Sequence, residues 1–405
     1  MEKNFASLDE LQAPEGKTVL VRVDVNSPVK DGVPQPGPRF TECAATIREL
    51  AKKGAKVVVL AHQGRAGDED FTSLDKHAEL LSKAVKKKVK FVSDLYGAFA
   101  LAAIAKMNNG KILLLENTRF YAEEGVDKNW DKTLMAKKLA GAAQGGAFVN
   151  EAFSVSHRAQ TSVVGLPALL PSYAGRSLER ELNALQKATV NPERPVVYVL
   201  GGGKPDDCFK ILKHVIESGV ADKILLGGVI GELAVIASGK SLGAKKEWLD
   251  EKGFSKLLPE MQALVNGEQG HKLLVPTDFA FAEADGIRVE ARAEELRGNE
   301  KIFDIGSKTA AAFASEIKAA RTVYFKGPVG RYEETAFELG TRLVLKAIES
   351  SKAFSLMGGG NTLDACEKFG VNRKRIGHLS TSGGALLAFL GGETLPGIEA
   401  LKPKG

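Results

Sequence analysis

Short apolar runs alternating with longer amphipathic ones constrain this chain more than any single motif. In the first half, "TVLVRVDV" (18–25), "AKVVVLAH" (55–62), "VKFVSD" (89–94), "KILLLEN" (111–117) and "GAFVNEAF" (146–153) have the near-continuous hydrophobicity of strands covered on both faces. Helix-period stretches lie between them, such as "FTECAATIRELAKKG" (40–54) and "TSLDKHAELLSKAV" (72–85). The second opens with Thr72 and Asp75 at capping-box spacing. The second half repeats the alternation through "RPVVYVL", "DKILLGG", "HKLLVPTDF", "RTVYFKG" and "AFSLMGG". This pattern predicts an α/β fold of doubly wound parallel sheets. A chain of 405 residues predicts two domains of roughly 200 residues each. The charged stretch 171–195, ended by Asn191-Pro192 and Pro195, reads as an interdomain helix with the boundary near residue 172.

Composition excludes several classes of function. Uninterrupted apolar runs of about 18 residues are missing, so no membrane span is expected. The N-terminal "MEKNFASLDELQAPEGK" carries acids early and has no apolar core, so no signal peptide is expected. Cys43, Cys208 and Cys366 lie far apart, which predicts neither a disulfide framework nor a zinc site and fits a reducing cytoplasm. The net charge of +6 suits anionic substrates. The basic run Lys86 to Lys90 lacks interleaved aromatics and reads as a solvated helix end rather than a nucleic-acid patch.

In open α/β sheets, ligands collect at the carboxyl ends of the strands. In the first half those ends carry Asp24 and Asn26, then His62 and Arg65, then Arg119, then His157 and Arg158, while Arg39 follows a Pro-rich loop. One arginine after a strand is usually a surface residue. Several cations at one rim predict a site for a small, multiply anionic substrate, because the guanidinium fork pairs with carboxylate and phosphate oxygens. That reading requires a strand order that brings the ends together.

In the second half, glycines take the place of arginines: "LGGGK" (200–204), "LLGGVIGEL" (225–233), "YFKGPVGRYEE" (324–334), "SLMGGGNTLDA" (355–365) and "HLSTSGGALL" (378–387). A glycine cluster between strand and helix lets backbone N–H groups approach phosphates, though glycines also simply make tight turns. The clusters together predict a nucleotide or other polyphosphate. The "GGGK" loop is not a Walker A loop, because Pro205 follows Lys204, and the absence of G-x-G-x-x-G argues against a dinucleotide fold. One half tuned to a small anion and the other to a polyphosphate suggest phosphoryl transfer, which needs positioning and charge neutralisation more than a reactive side chain.

The motifs "VRVDVNSPV", "AHQGR", "ENTRF", "VNEAFSVSHRAQTS", "NPERP…LGGGK", "DIGSKT", "KGPVGRYE", "GGGNT" and "STSGGA…LPGIEAL" resemble, in order and over nearly the whole chain, the phosphoglycerate kinase family. The wording "ENTRFY" and "HAELLSK" is similar to its archaeal branch. The resemblance implies two doubly wound domains joined by a long helix, with a cleft between them that closes over the substrates. Residues 1–172 plus about 386–405 would bind 3-phosphoglycerate or 1,3-bisphosphoglycerate, and 173–385 would bind ATP or ADP with Mg²⁺. It implies a cytoplasmic glycolytic monomer with no nucleic-acid or membrane partner. Matching motif positions place Asp24, Val25, Asn26, Arg39, His62, Gln63, Gly64, Arg65, Arg119 and Arg158 at 3-phosphoglycerate. They place Gly202, Gly203, Lys204, Gly227, Gly228, Lys326, Pro328, Glu333, Gly358, Gly359, Gly360, Asn361 and Thr362 at the nucleotide. Arg39 and Lys204 would act on the phosphoryl group in transit.

This sequence departs from the family pattern at four places. Cys208 stands where much of the family has a second lysine, and Lys210 lies two residues further on, about 200° around a helix. Asn361 replaces a metal-binding aspartate, leaving an amide oxygen to meet Mg²⁺ directly or through water. Lys326 replaces an asparagine and puts a cation near the nucleotide; one reading is that it offsets the missing lysine. Ser382 replaces a glycine. A nucleotide- or phosphoglycerate-binding protein without catalysis therefore stays open beside the active kinase.

Overall fold

The computed structural model describes residues 5–283, 286–296 and 298–402. The chain divides into two compact units, Met1–Leu182 with Thr394–Gly405, and Asn183–Glu393. The first is built on six parallel strands: β1 (Thr18–Arg22), β2 (Lys56–Leu60), β3 (Val89–Phe91), β4 (Ile112–Leu114), β5 (Ala147–Asn150) and β6 (Ser172–Ala174), in the order β3-β4-β2-β1-β5-β6. Alternate residues of one strand feed opposite faces. Val19 and Val21 join Val57, Val59 and Ile112 in one core, whereas Leu20 joins Val58, Leu60 and Leu113 in another. Cover on both faces is why the runs are apolar throughout rather than alternating.

The second unit is built on β7 (Val196–Leu200), β8 (Lys223–Leu226), β9 (Leu273–Leu274), β13 (Thr322–Lys326), β14 (Phe354–Gly358) and β15 (His378–Ser380), in the parallel order β9-β8-β7-β13-β14-β15. Between β9 and β13 the chain makes a separate antiparallel sheet of β10 (Asp278–Ala282), β11 (Arg288–Arg292) and β12 (Ile302–Ile305). The parallel order is that of dinucleotide-binding sheets, with the reversal between β7 and β13. The missing fingerprint thus excluded a loop type, not this sheet.

Three local expectations need correction. "HKLLVPTDF" is not one strand: Pro276 separates the two-residue edge strand β9 from β10, which pairs antiparallel elsewhere. The stretch 171–195 begins as strand β6, and its helix covers only Arg176–Thr189. Thr72 and Asp75 form no capping box. The helix starts at Asp75 with Leu74 as N-cap, and Glu116 supplies the acceptors instead, taking Leu74 N at 3.1 Å and Ser73 Oγ at 2.8 Å. Lys86, Lys87 and Lys88 are exposed just past that helix. The three cysteines are free and buried. Among the described residues no helix is long and apolar enough to cross a membrane.

Candidate active site

β4, β2, β1 and β5 are neighbours, so the ends that carry Arg119, His62, Asp24 and Arg158 lie side by side. The reversal of the doubly wound sheet falls between β1 and β5, the usual place for a ligand. Asp24 is the hub. It accepts Asn26 N at 2.9 Å and Arg39 Nη1 at 3.2 Å, and it also receives the Ser154 hydroxyl from beyond β5. Arg39 Nη1 donates in addition to Asn26 O at 2.7 Å, leaving its Nε and Nη2 without a protein partner among the described residues. Asn26 Oδ1 accepts Gly64 N at 2.8 Å, and Arg119 Nη1 donates to Gly64 O at 2.6 Å. Arg158 Nε donates to His157 Nε2 at 3.3 Å, and Arg65 is exposed.

The electrostatics match this crowding. Burial lowers the Arg119 pKa to about 10, with Arg158 and Arg22 adding to the effect. His62 is pushed well below the usual histidine range by burial first and then by Arg22, Arg119, Arg39 and Arg158. A neutral imidazole therefore sits among guanidinium groups. Such an excess of cation is costly to assemble and fits a polyanionic ligand.

Two of the predicted residues have wholly buried side chains. The Val25 side chain is one of them. The Gln63 side chain is also wholly buried and engaged: its Oε1 accepts Ser27 N at 2.9 Å, and its Nε2 donates to Ser27 O at 3.0 Å and to Asp70 Oδ2 at 3.2 Å. Sequence reasoning missed Arg22 and Asn117. Arg22 is fully buried, bonds Ser162 Oγ at 2.8 Å and lies 3.8 Å from Glu124. Its signal was a charge inside an apolar run. Asn117 ties the loops together through Gln63 O at 2.8 Å, Thr72 O at 2.9 Å and Arg119 N at 3.1 Å.

In the second unit the glycine loops meet at the β7–β13 reversal. Gly201 N donates to Lys326 O at 2.8 Å, Gly202 N to Pro328 O at 2.6 Å, and Gly228 N to Val329 O at 3.0 Å. A Cβ on Gly201 would lie 2.5 Å from Pro328 O, so this glycine exists for loop-to-loop approach. A Cβ on Gly203 would meet nothing within 4 Å, which leaves its backbone open to a ligand. Lys204 follows, exposed, as N-cap of the helix Pro205–Ser218. Among the described residues it forms no ion pair. Lys210 points elsewhere, 3.9 Å from Glu393. Gly227 N bonds Leu200 O at 2.8 Å. Gly358 ends β14, Gly359 carries a φ of 104°, and Gly360 starts the helix Gly360–Lys368. Thr362 Oγ1 accepts Gly327 N at 3.0 Å, and Asn361 is exposed. Glu333 is exposed and its carboxylate makes no hydrogen bond among the described residues. Ser382 is buried and precedes the helix Gly383–Leu390.

Residues 8–393 match the family model described as phosphoglycerate kinase. The phosphoglycerate kinase of Methanococcus maripaludis is 42% identical over 98% of this chain and 98% of its own length. That of Methanothermobacter thermautotrophicus is 40% identical over 98% and 97%. The crystal structure of phosphoglycerate kinase from Pyrococcus horikoshii superposes with a TM-score of 0.87 at 36% identity, covering 98% of both chains. By motif order, strand order and these matches, the chain belongs to the phosphoglycerate kinase family of phosphotransferases.

Proposed function

We propose that the chain catalyses reversible phosphoryl transfer between ATP and the carboxylate of 3-phosphoglycerate, giving ADP and 1,3-bisphosphoglycerate, as a cytoplasmic monomer. The first unit, Met1–Leu182 with Thr394–Gly405, forms the acceptor domain, and the second, Asn183–Glu393, the nucleotide domain. The observation that carries the acceptor assignment is the convergence of Arg39, Arg119 and Arg158 around neutral His62. The guanidinium forks hold the phosphate and carboxylate, while Asp24 and Asn26 fix Arg39 and direct its unpartnered nitrogens at the transferring group. On the donor side, the open backbone of Gly203 and the compact charge of Lys204 meet the phosphates. Gly358 to Thr362 support them from the neighbouring strand end, and Glu333 meets the ribose.

The residues fit a magnesium ion carried on the nucleotide phosphates. Among the described residues no cluster of three or more His, Cys, Asp or Glu is placed to hold a metal, and Asn361 offers one neutral amide oxygen. Magnesium keeps several waters and few protein oxygens in such sites. When bound, it neutralises phosphate charge. Phosphorus NMR of protein with Mg-ATP and 3-phosphoglycerate tests the reaction itself. An acyl-phosphate resonance growing with ADP is expected, and nucleotide bound without that resonance would favour the binding-protein reading.

A further inference from the structure

The reversal point of the second sheet holds a buried lysine with no carboxylate partner among the described residues. Lys326 ends β13 and is 8% exposed, and its Nζ donates to Cys208 Sγ at 3.2 Å. The thiol donates onward to Gly201 O at 3.0 Å, so it carries its proton. Burial pushes the Cys208 pKa up, and the pull of Lys326 opposes this without reversing it. The sulfur therefore does not neutralise the ammonium, and among the described residues no carboxylate pairs with it. A buried cation in this state is costly and calls for an anion.

Its place says which anion. Lys326 pairs with Leu200 on one side and Gly358 on the other. It thus stands between two glycine loops that each open a helix, Pro205–Ser218 and Gly360–Lys368. Backbone N–H groups and helix N-termini on both sides favour phosphate oxygens. Cys208 lies on the first turn of the first helix, where a longer side chain would take the space of the ammonium.

We infer that Lys326 is a phosphate-binding cation of the nucleotide site, supplied from the central strand, and that Cys208 is the small neutral residue that leaves it room. This deepens the functional reading above and rests on it. The residue would touch the polyphosphate directly, where a helix-borne cation at position 208 is absent.

The test uses the full chain with the variants K326M, K326N, C208K and C208K/K326N. K326M should lower kcat at least thirtyfold and weaken ADP and inorganic tripolyphosphate about tenfold by calorimetry, while melting at the same or a higher temperature because a buried unpaired charge is gone. C208K/K326N, with the charge moved to the helix, should recover to within tenfold of the parent, although C208K and K326N each fail. Turnover and tripolyphosphate binding of K326M within threefold of the parent would overturn the proposal. So would a lower melting temperature of K326M together with a double variant no better than K326N. If the parent shows no acceptor-dependent turnover, the functional reading fails, yet tripolyphosphate titration of K326M still decides this proposal.

Discussion

Arg22 donates to His62 Nδ1 across 3.1 Å, and since a guanidinium cannot accept, the ring is held neutral with its proton on Nε2. Burial and four surrounding arginines push its pKa far down. Nitrogen-resolved NMR should find this tautomer unchanged across the pH range near 6.5 where an ordinary histidine titrates. A midpoint above 6 would contradict the picture of the rim.

Arg22 and Glu124 are both almost fully buried, 3.8 Å apart. Arg22→Met would leave Glu124 without its counter-charge, although Ser162 would still bond it. Urea unfolding should show a loss of about 3–5 kcal/mol. A loss below about 1 kcal/mol would mean that the pair contributes little.

Arg39→Lys keeps charge but loses the planar fork, so it cannot hold Asp24 and Asn26 while presenting two further nitrogens. It should lower kcat by about a hundredfold, or ~2.7 kcal/mol of barrier. Steady-state rates with saturating acceptor check this. Lys204→Ala within about threefold of the parent would likewise refute its assigned role.

The two neighbouring glycines, Gly201 and Gly203, should separate fold from function. Gly201→Ala forces a Cβ against Pro328 O and should cost roughly 1–3 kcal/mol in thermal unfolding. Gly203→Ala has space and should melt like the parent while raising KM for ATP. Reversal of these two outcomes would mean that the loop contacts have been misread.

Glu151 is buried, with Oε1 accepting Ser177 N at 2.9 Å. Burial raises its pKa from 4.5 to about 8. The folded state therefore holds a proton that the unfolded state releases, and stability falls as pH rises from about 4.5 towards 8. The slope is at most about 1.4 kcal/mol per pH unit. Relative to the parent, Glu151→Gln should gain stability across that window. A pH-independent difference would show that Glu151 is ionised in the fold.

The parallel strands were legible because cover on both faces writes them as unbroken apolar runs, as in Val19–Val21. The antiparallel strand β11 was not, since "RVEAR" is half-exposed and carries no such run. The acceptor rim was legible as charged residues just past strand ends. Its supports were less so: Arg22 sat inside a run read for hydrophobicity alone, and the Glu116 cap comes from 42 residues away. Lys326 could be seen as a departure, but its contact with Cys208 depends on β7 and β13 being neighbours, which no local pattern encodes.

The most direct test is a coupled assay for ADP formation with Mg-ATP, run with and without 3-phosphoglycerate. An acceptor-dependent rate that Arg39→Ala and Lys204→Ala each abolish is the predicted result. ADP release indifferent to 3-phosphoglycerate, or none with any nucleotide or with Mn²⁺, would contradict an active kinase built on these two rims.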